Sequence, residues 1–446
     1  MATTPDEIAA LVQKHYDALP AKRKPVIRGN GLHEWVPLAG IVAQGKNNKL
    51  SCLSLATGMK CLPTSKIPQA QGNILHDWHA EVLAIRAFNR FVLDECKILA
   101  QGGSSEFLRR REMSRPQTET EETGFQPFAW EEDIRLHMYC SEAPCGDASM
   151  ELIMASQEDA TPWALPPATL PSTSTISPPT PTPTLPGRAF FSQLGVVRRK
   201  PSRPDAAPTL SKSCSDKLSL HQLTSLLCST TSLLVDPRGV YIHTLVLPSS
   251  RHSASACNRA FSAGGRMRAA SGVSHAGYEF RPFELQTTTA EFAFSQRSIT
   301  AALAERATVT DGEQKRAEGI ATSNLALAWT SSGREEATLG GVLQGRKQSS
   351  ADARGASFAS RRRMWALAVD IVDLLLSDQA PTRSDEGVGM DRSAVVDNIQ
   401  KALSAKTYGE VKDSMSLASR RRVKEEARSE ALEGWVRNLG DESFSL

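Results

Sequence analysis

The stretch Asp77-Trp78-His79-Ala80-Glu81 places a histidine and a carboxylate two residues apart at the head of an amphipathic run. Two later stretches, Pro144-Cys145-Gly146 and Ser213-Cys214-Ser215-Asp216-Lys217, add two cysteines. One imidazole and two thiolates form a donor set for a zinc ion that keeps its fourth position open to water. A metal held in that way lowers the pKa of bound water to about 7 and so makes a nucleophile at neutral pH. The chemistry within reach is hydrolytic removal of an exocyclic amine from a nucleobase ring. On this reading His79, Cys145 and Cys214 are the metal ligands. Glu81 is the free carboxylate that carries protons to the ring nitrogen and the leaving ammonia.

Spacing sets a condition on this reading. Side chains two residues apart on a helix diverge by roughly 200°, so His79 and Glu81 can serve one site only if it lies off a helix N-terminus. The recurrence Val82-Leu83, Ala87-Phe88, Phe91-Val92 predicts a helix that begins near His79. The residues Pro144-Cys145-Gly146-Asp147 likewise precede a second helix start over 148–154, and a cysteine at such a position has a depressed pKa. Either short motif alone is a weak signal, because a histidine at a helix start is usually a cap or a surface residue. The three stretches in this order are far more specific. The commonest deaminase signature, P-C-x-x-C, is absent, since Ala148 stands where the second cysteine would be. The second thiolate must come from a distance, and Cys214 is the candidate. Cys140 and His137 are the nearest competitors, but the alternation over Arg135-Leu136-His137-Met138-Tyr139-Cys140 predicts a strand that packs both. A scaffold protein with a structural zinc would show four protein ligands and no neighbouring carboxylate, so Glu81 favours catalysis.

These residues resemble the adenosine deaminases that act on RNA, and within them the tRNA-specific branch. That family combines H-A-E, P-C-G and a distant S-C-S-D-K. Further matches are Ala56-Thr57-Gly58-Met59-Lys60-Cys61, Arg199-Lys200-Pro201-Ser202-Arg203-Pro204-Asp205, Ser323-Asn324-Leu325-Ala326-Leu327-Ala328-Trp329, Arg361-Arg362-Arg363-Met364-Trp365 and Gly434-Trp435-Val436. The resemblance runs from about residue 31 to the C-terminus, interrupted by inserts. It implies an α/β (α+β) fold, a zinc-dependent deaminase core with a mixed β-sheet and helices on its faces. The implied reaction is hydrolysis of adenosine to inosine in RNA. About 30 residues precede the matched region, too few for a separate RNA-binding domain. The tRNA branch is therefore expected over an editor of structured double-stranded RNA, with the adenosine 3′ of the anticodon of an alanine tRNA as target. A cytidine deaminase is disfavoured by the missing short cysteine spacing.

The resemblance also implies inositol hexakisphosphate enclosed in a basic interior cavity, with contacts at Arg86, Lys217, Tyr408, Lys412 and Trp435, and at Arg346 or Lys347. A relay through Asp77 and Lys217 would link that cavity to the metal. Asp77 equally suits a cap of the His79 helix. A basic residue as deep in an apolar helix as Arg86 wants a partner, unless its head reaches the surface. RNA contacts are expected at Lys60, Arg199 and Arg203. Three departures stand against the family pattern: Ile85 replaces an arginine, His76 replaces an asparagine, and the stretch after Lys412 diverges.

The rest of the chain must position these groups. Its 446 residues suffice for one large domain or two to three ordinary ones, and 40% hydrophobic content suffices for a core. A net charge of +3 permits RNA binding without demanding it. The eight cysteines, with no signal-peptide pattern at the start, are expected to be reduced or metal-bound. No apolar run reaches the roughly 18 residues of a membrane span. A nuclear or cytoplasmic location is expected, and no obligate protein partner is evident. The expected organisation is an N-terminal helical extension over 1–30 and a deaminase domain over 31–446, with low-complexity inserts near 104–126, 155–187 and 378–396. The extension should carry Ile8, Leu11, Val12 and Tyr16 on one stripe. Residues 36–43 and 50–56 should form a hairpin, and 239–247 and 326–330 further strands. Helices are expected over 218–227 and 358–376, and 284–322 is expected to be an insert or a peripheral segment.

Overall fold

The hairpin forms where turn chemistry allows it. Strand Leu38–Gln44 (β1) pairs antiparallel with Leu50–Thr57 (β2). Asn47 and Asn48 both take positive φ in the turn between them, a conformation asparagine tolerates better than most residues. Around this pair a computed structural model, which describes residues 3–111, 125–156, 185–186, 193–200, 207–309, 319–348, 352–377 and 392–446, builds an eight-stranded sheet. The other strands are Arg135–Cys140 (β3), Ile242–Pro248 (β4), Glu284–Thr288 (β5), Leu325–Thr330 (β6), Arg334–Leu339 (β7) and Val342–Leu343 (β8). Their order is β5-β4-β3-β1-β2-β6-β7-β8. β5, β4 and β3 run parallel to one another and every other neighbouring pair is antiparallel, so the sheet is mixed.

Alternation along β1 sends its residues to two different cores. Leu38 and Val42 face helix Pro5–Asp17 (α1), whose Ile8, Ala9, Val12 and Tyr16 are buried against them. Ala39, Ile41 and Ala43 face helix Ala80–Ala100 (α2), with Leu83, Ala87, Phe88 and Phe91. Gly40 lets α1 approach closely: a Cβ there would stand 2.6 Å from the Val12 side chain. The N-terminal helix is thus one of the layers over the sheet. It starts with a reciprocal cap in which Glu7 N–H donates to Thr4 Oγ1 and Thr4 N–H to the Glu7 carboxylate.

The remaining helices are Cys214–Thr224 (α3), Arg361–Ser377 (α4), Arg392–Leu403 (α5), Tyr408–Asp413 (α6) and Ala418–Glu430 (α7). α4 packs between α2 and α5. Its fully buried Trp365 donates to Leu403 O at 2.8 Å and meets Tyr408 and Phe444, which stack at 5.1 Å. Burial of that size is worth about 3–5 kcal/mol against alanine. Among the described residues no helix is long and apolar enough to cross a membrane.

Several expectations shift. The block 284–322 is not peripheral: it supplies edge strand β5, and its Phe292 packs against Tyr16 of α1. Within the first expected insert, Leu108–Arg110 pairs with Phe128–Trp130 and Leu108 is buried. Residues 112–124 lie outside the described residues, as do 157–184 of the second insert. The third insert ends sooner than its composition suggests, because α5 begins at Arg392. α3 begins at Cys214, four residues before its apolar run.

Burial holds His76, His137 and His221 each down at about 4, so all three are neutral in the folded protein at pH 7. The unfolded chain takes up their protons below about 6.5, and the folded protein does so only near 4. Stability should therefore fall as pH drops from about 6.5 to 4 and level off below. Urea titrations at pH 7, 6 and 5 check this, and His221→Gln should flatten the slope.

Candidate metal centre and active site

The helix-end condition is met because His79 is the N-cap of α2 and not part of its spiral. Its φ of −61° and ψ of 144° are extended, while Glu81 lies in the first turn and is 6% exposed. Two features hold this entry. His79 N–H donates to Asp77 Oδ1 at 3.0 Å, and Ala80 N–H donates to Gly58 O at 2.8 Å. Gly58 has φ +140°, and a Cβ on it would lie 2.2 Å from Trp78 O, so only glycine fits. Cys145 follows β3 after a short turn. Its neighbour Gly146, at φ +105°, has no room for a Cβ beside Ser213 Oγ. Cys214 opens α3, with Ser213 as the cap that accepts from Asp216 N–H at 3.1 Å.

The three elements converge. His79 Nδ1 lies 3.8 Å from Cys145 Sγ, and Cys214 N–H donates to the same sulfur at 3.3 Å. One ring nitrogen and the two sulfurs lie within 4.8 Å of one another, spacing a tetrahedral zinc can draw together. A hydrogen bond from the Cys214 thiol holds the Cys145 thiol well below its ordinary range against the effect of burial, with Lys200 and His79 adding to it. Burial, and then the Cys145 sulfur, push the Glu81 carboxyl up. Cys61, Asp77 and His79 form a second group within 4.8 Å. Cys140 and His137 join neither. Cys140 is buried in β3, and His137 contacts Gln44 Oε1 at 3.0 Å and stacks on His243.

Asp77 is the centre of a buried network. Its Oδ2 accepts from Lys200 Nζ at 2.8 Å, from Ser211 Oγ at 2.6 Å and from Lys217 Nζ. Burial alone would raise Asp77, but Lys200 and Lys217 outweigh it and hold the carboxyl well below its usual range. Lys200 also reaches Cys214 Sγ at 3.3 Å. Two members of the basic run before residue 201 are packed inside: Arg198 is 1% and Lys200 5% exposed. Sequence reasoning missed Lys200 and Ser211 as site residues. Arg199 is half-buried, and Arg203 lies outside the described residues. Lys60 is half-buried and donates to Asn324 Oδ1.

Next to this network lies a cavity of about 340 Å³ whose lining includes Arg86, Lys217, Lys412 and Trp435. A neighbouring cavity of about 260 Å³ shares the first three and reaches Tyr408, Glu81 and Cys214. Arg86 does not turn to the surface; its Nε donates to Ala359 O at 2.9 Å. Arg346 and Lys347 are exposed in the turn after β8 and line neither cavity. The added cations come from α7 instead. Arg420, Lys424 and Arg428 recur every fourth residue and face inward, the spacing of one helix face. Buried Arg420 Nη1 and Arg428 Nε have no hydrogen-bond partner. Burial, then Arg420 and Arg428, hold Lys424 well below the usual lysine range.

Residues 54–439 match the model of a family described as the adenosine-deaminase (editase) domain. The chain belongs to that family. The chain is similar to a Schizosaccharomyces pombe protein named tRNA-specific adenosine deaminase 1, 38% identical over 326 residues, covering 72% of this chain and 74% of that protein. The Saccharomyces cerevisiae protein of the same name is 35% identical over 256 residues, and the match spans 55% of this chain and 58% of the relative. A Drosophila melanogaster protein named double-stranded RNA-specific editase Adar is 25% identical over 238 residues. Membership makes this chain a hydrolytic deaminase, and the mixed sheet with helices on its faces is the deaminase core expected.

Lys200 tests the network. Lys200→Met leaves Asp77 and the sulfurs with one fewer counter-charge in a buried setting, and removing one partner of a buried pair costs about 3–5 kcal/mol. Denaturant unfolding should show that loss, and metal content measured in parallel should fall with it.

Proposed function

We propose that the chain deaminates adenosine to inosine in tRNA, with zinc held by His79, Cys145 and Cys214. The adenosine 3′ of the anticodon of an alanine tRNA is the proposed target. The observation that carries the reading is a half-buried imidazole and two sulfurs gathered at two helix N-termini beside a buried carboxylate that is not a ligand. The donor set fits zinc: one nitrogen and two sulfurs, with Cys145 poised as a thiolate and Lys200 there to offset its charge. The named tRNA deaminases among the relatives support the substrate. A tRNA substrate goes with a nuclear or cytoplasmic place of action.

Zinc at this site supplies activated water near neutral pH. The residues do the rest. Glu81, buried at the first turn of α2, takes one proton from the attacking water and delivers it to the purine ring nitrogen. It then takes the remaining hydroxyl proton of the added water and hands it to the amine, which departs as ammonia while the ring C–O bond becomes a carbonyl. The cap at His79 and the Gly58 contact keep the imidazole and this carboxylate on the same side of the helix end. Lys60 and half-buried Arg199 are proposed to meet the RNA backbone, as is Arg203.

The cavity fits a polyanion such as inositol hexakisphosphate, since lysines and arginines outnumber carboxylates in its wall and two buried guanidinium nitrogens lack partners. Arg86, Lys217, Tyr408, Lys412 and Trp435 would hold it, joined by the α7 cations. Adding inositol hexakisphosphate to protein stripped of it should raise the melting temperature in a concentration-dependent way. An unchanged melting temperature across the titration removes the polyanion.

The reaction is tested by sequencing tRNA treated with wild type and with Glu81→Gln. The expected result is adenosine read as guanosine next to the anticodon with wild type, at least 100-fold less with Glu81→Gln, and equal zinc in both proteins. Activity retained by the variant ends the proton-transfer role. Conversion in duplex RNA but not in tRNA moves the substrate to structured RNA.

A further inference from the structure

The second metal-capable group, Cys61 with Asp77 and His79, has no part in the reaction above, and the backbone explains why it exists. Residues 60–62 run antiparallel to 76–78: Leu62 N–H donates to His76 O at 2.8 Å, Trp78 N–H donates to Lys60 O at 3.0 Å, and Cys61 faces Asp77 across the bridge. Cross-strand partners project to the same face, and residues 77 and 79 of an extended segment do so as well. Cys61, Asp77 and His79 therefore converge, with their ligand-capable atoms within 4.8 Å of one another. Cys61 groups with Asp77 and His79 and stands outside the group that His79 forms with Cys145 and Cys214.

A histidine that ligates a metal through one ring nitrogen is oriented by the acceptor that its other N–H meets. In this site Nδ1 is the nitrogen that faces Cys145 Sγ. A carboxylate is the common acceptor for the other, but Asp77 is occupied. Its Oδ1 takes the His79 main-chain N–H, and its Oδ2 takes Lys200, Lys217 and Ser211. We propose that Cys61 is a positioning residue of the metal centre: its sulfur accepts the His79 ring N–H that faces away from the metal and so sets the tautomer and plane of the ring. The proposal rests on the reading of His79 as a zinc ligand.

The test is zinc affinity of the full chain, measured by competition with a chromophoric chelator, for wild type, Cys61→Ala and Cys61→Ser. The thiolate-to-metal charge-transfer band of the Co(II)-substituted proteins is recorded alongside. Cys61→Ala should weaken zinc binding about 10–100-fold. Cys61→Ser, whose hydroxyl still accepts, should recover most of that loss. The Co(II) band should keep its intensity in all three. Unchanged affinity in Cys61→Ala overturns the proposal. Equal weakening in both variants also overturns it, because that marks lost packing. A band that falls by one thiolate in Cys61→Ala makes Cys61 a ligand and overturns it too. A wild-type chain that binds no zinc defeats the metal reading itself, a result distinct from the other three.

Discussion

Everything at this site depends on one buried carboxylate. Asp77 is 5% exposed, and an isolated charge at such a position would carry a large desolvation penalty. Four donors meet it: Lys200, Lys217, Ser211 and the His79 main chain. Each donor belongs to a different piece of the chain. Lys200 lies on residues 198–200, which pair with 211–213, Ser211 precedes α3, Lys217 lies within α3, and His79 caps α2. One carboxylate thus brings the α2 and α3 N-termini into register. It also keeps Lys200 charged against burial, and Lys200 in turn faces Cys214. Buried Cys214 and half-buried Cys145, the two proposed thiol ligands, can sit together here because a lysine is buried with them.

The same hub explains why the basic cavity lies where it does. Lys217 contacts Asp77 on one side and lines the cavity on the other. The α7 cations sit opposite; burial first, and then its neighbours Arg420 and Arg428, hold Lys424 well below the usual lysine range. A group of like charges inside a protein is stable only with a counter-charge. The proposed polyanion would supply it and would bind α6, α7 and the C-terminal segment to α3. Metal site and cavity are then two ends of one electrostatic assembly, with Asp77 and Lys217 at the joint.

What the sequence discloses follows from where information is local. H-A-E, P-C-G and S-C-S-D-K each sit at the start of an element, and such starts carry capping residues and glycines that can be read directly. The α1 capping box and the Asn47-Asn48 turn are legible for the same reason. Lys200 is not, because three consecutive basic residues look like a solvated face. Its burial is decided by Asp77, distant in sequence. α7 misleads in the same sense: its composition is that of a surface helix, yet Arg420, Lys424 and Arg428 point inward. β5 escapes notice because an edge strand is only partly buried and shows little alternation. Arg346 and Lys347 were placed by likeness alone, and the turn after β8 carries them to solvent.

The long Pro-, Ser- and Thr-rich stretch between Cys145 and Cys214 bears on the same logic. Two proposed metal ligands separated by such an insert could be expected to lose their mutual geometry. Here the chain is tied on both sides of it. Gly195 N–H donates to Asp147 Oδ1 beside Cys145, and Arg198 N–H donates to Asp216 Oδ2 beside Cys214. Cys214 N–H itself donates to Cys145 Sγ. With the ends fixed, lengthening the intervening chain costs only loop-closure entropy, about 0.6 kcal/mol for each doubling. The ligand set is therefore insulated from insert length by hydrogen bonds to two aspartates, and a site assembled from distant segments stays as well defined as one built on a single short motif.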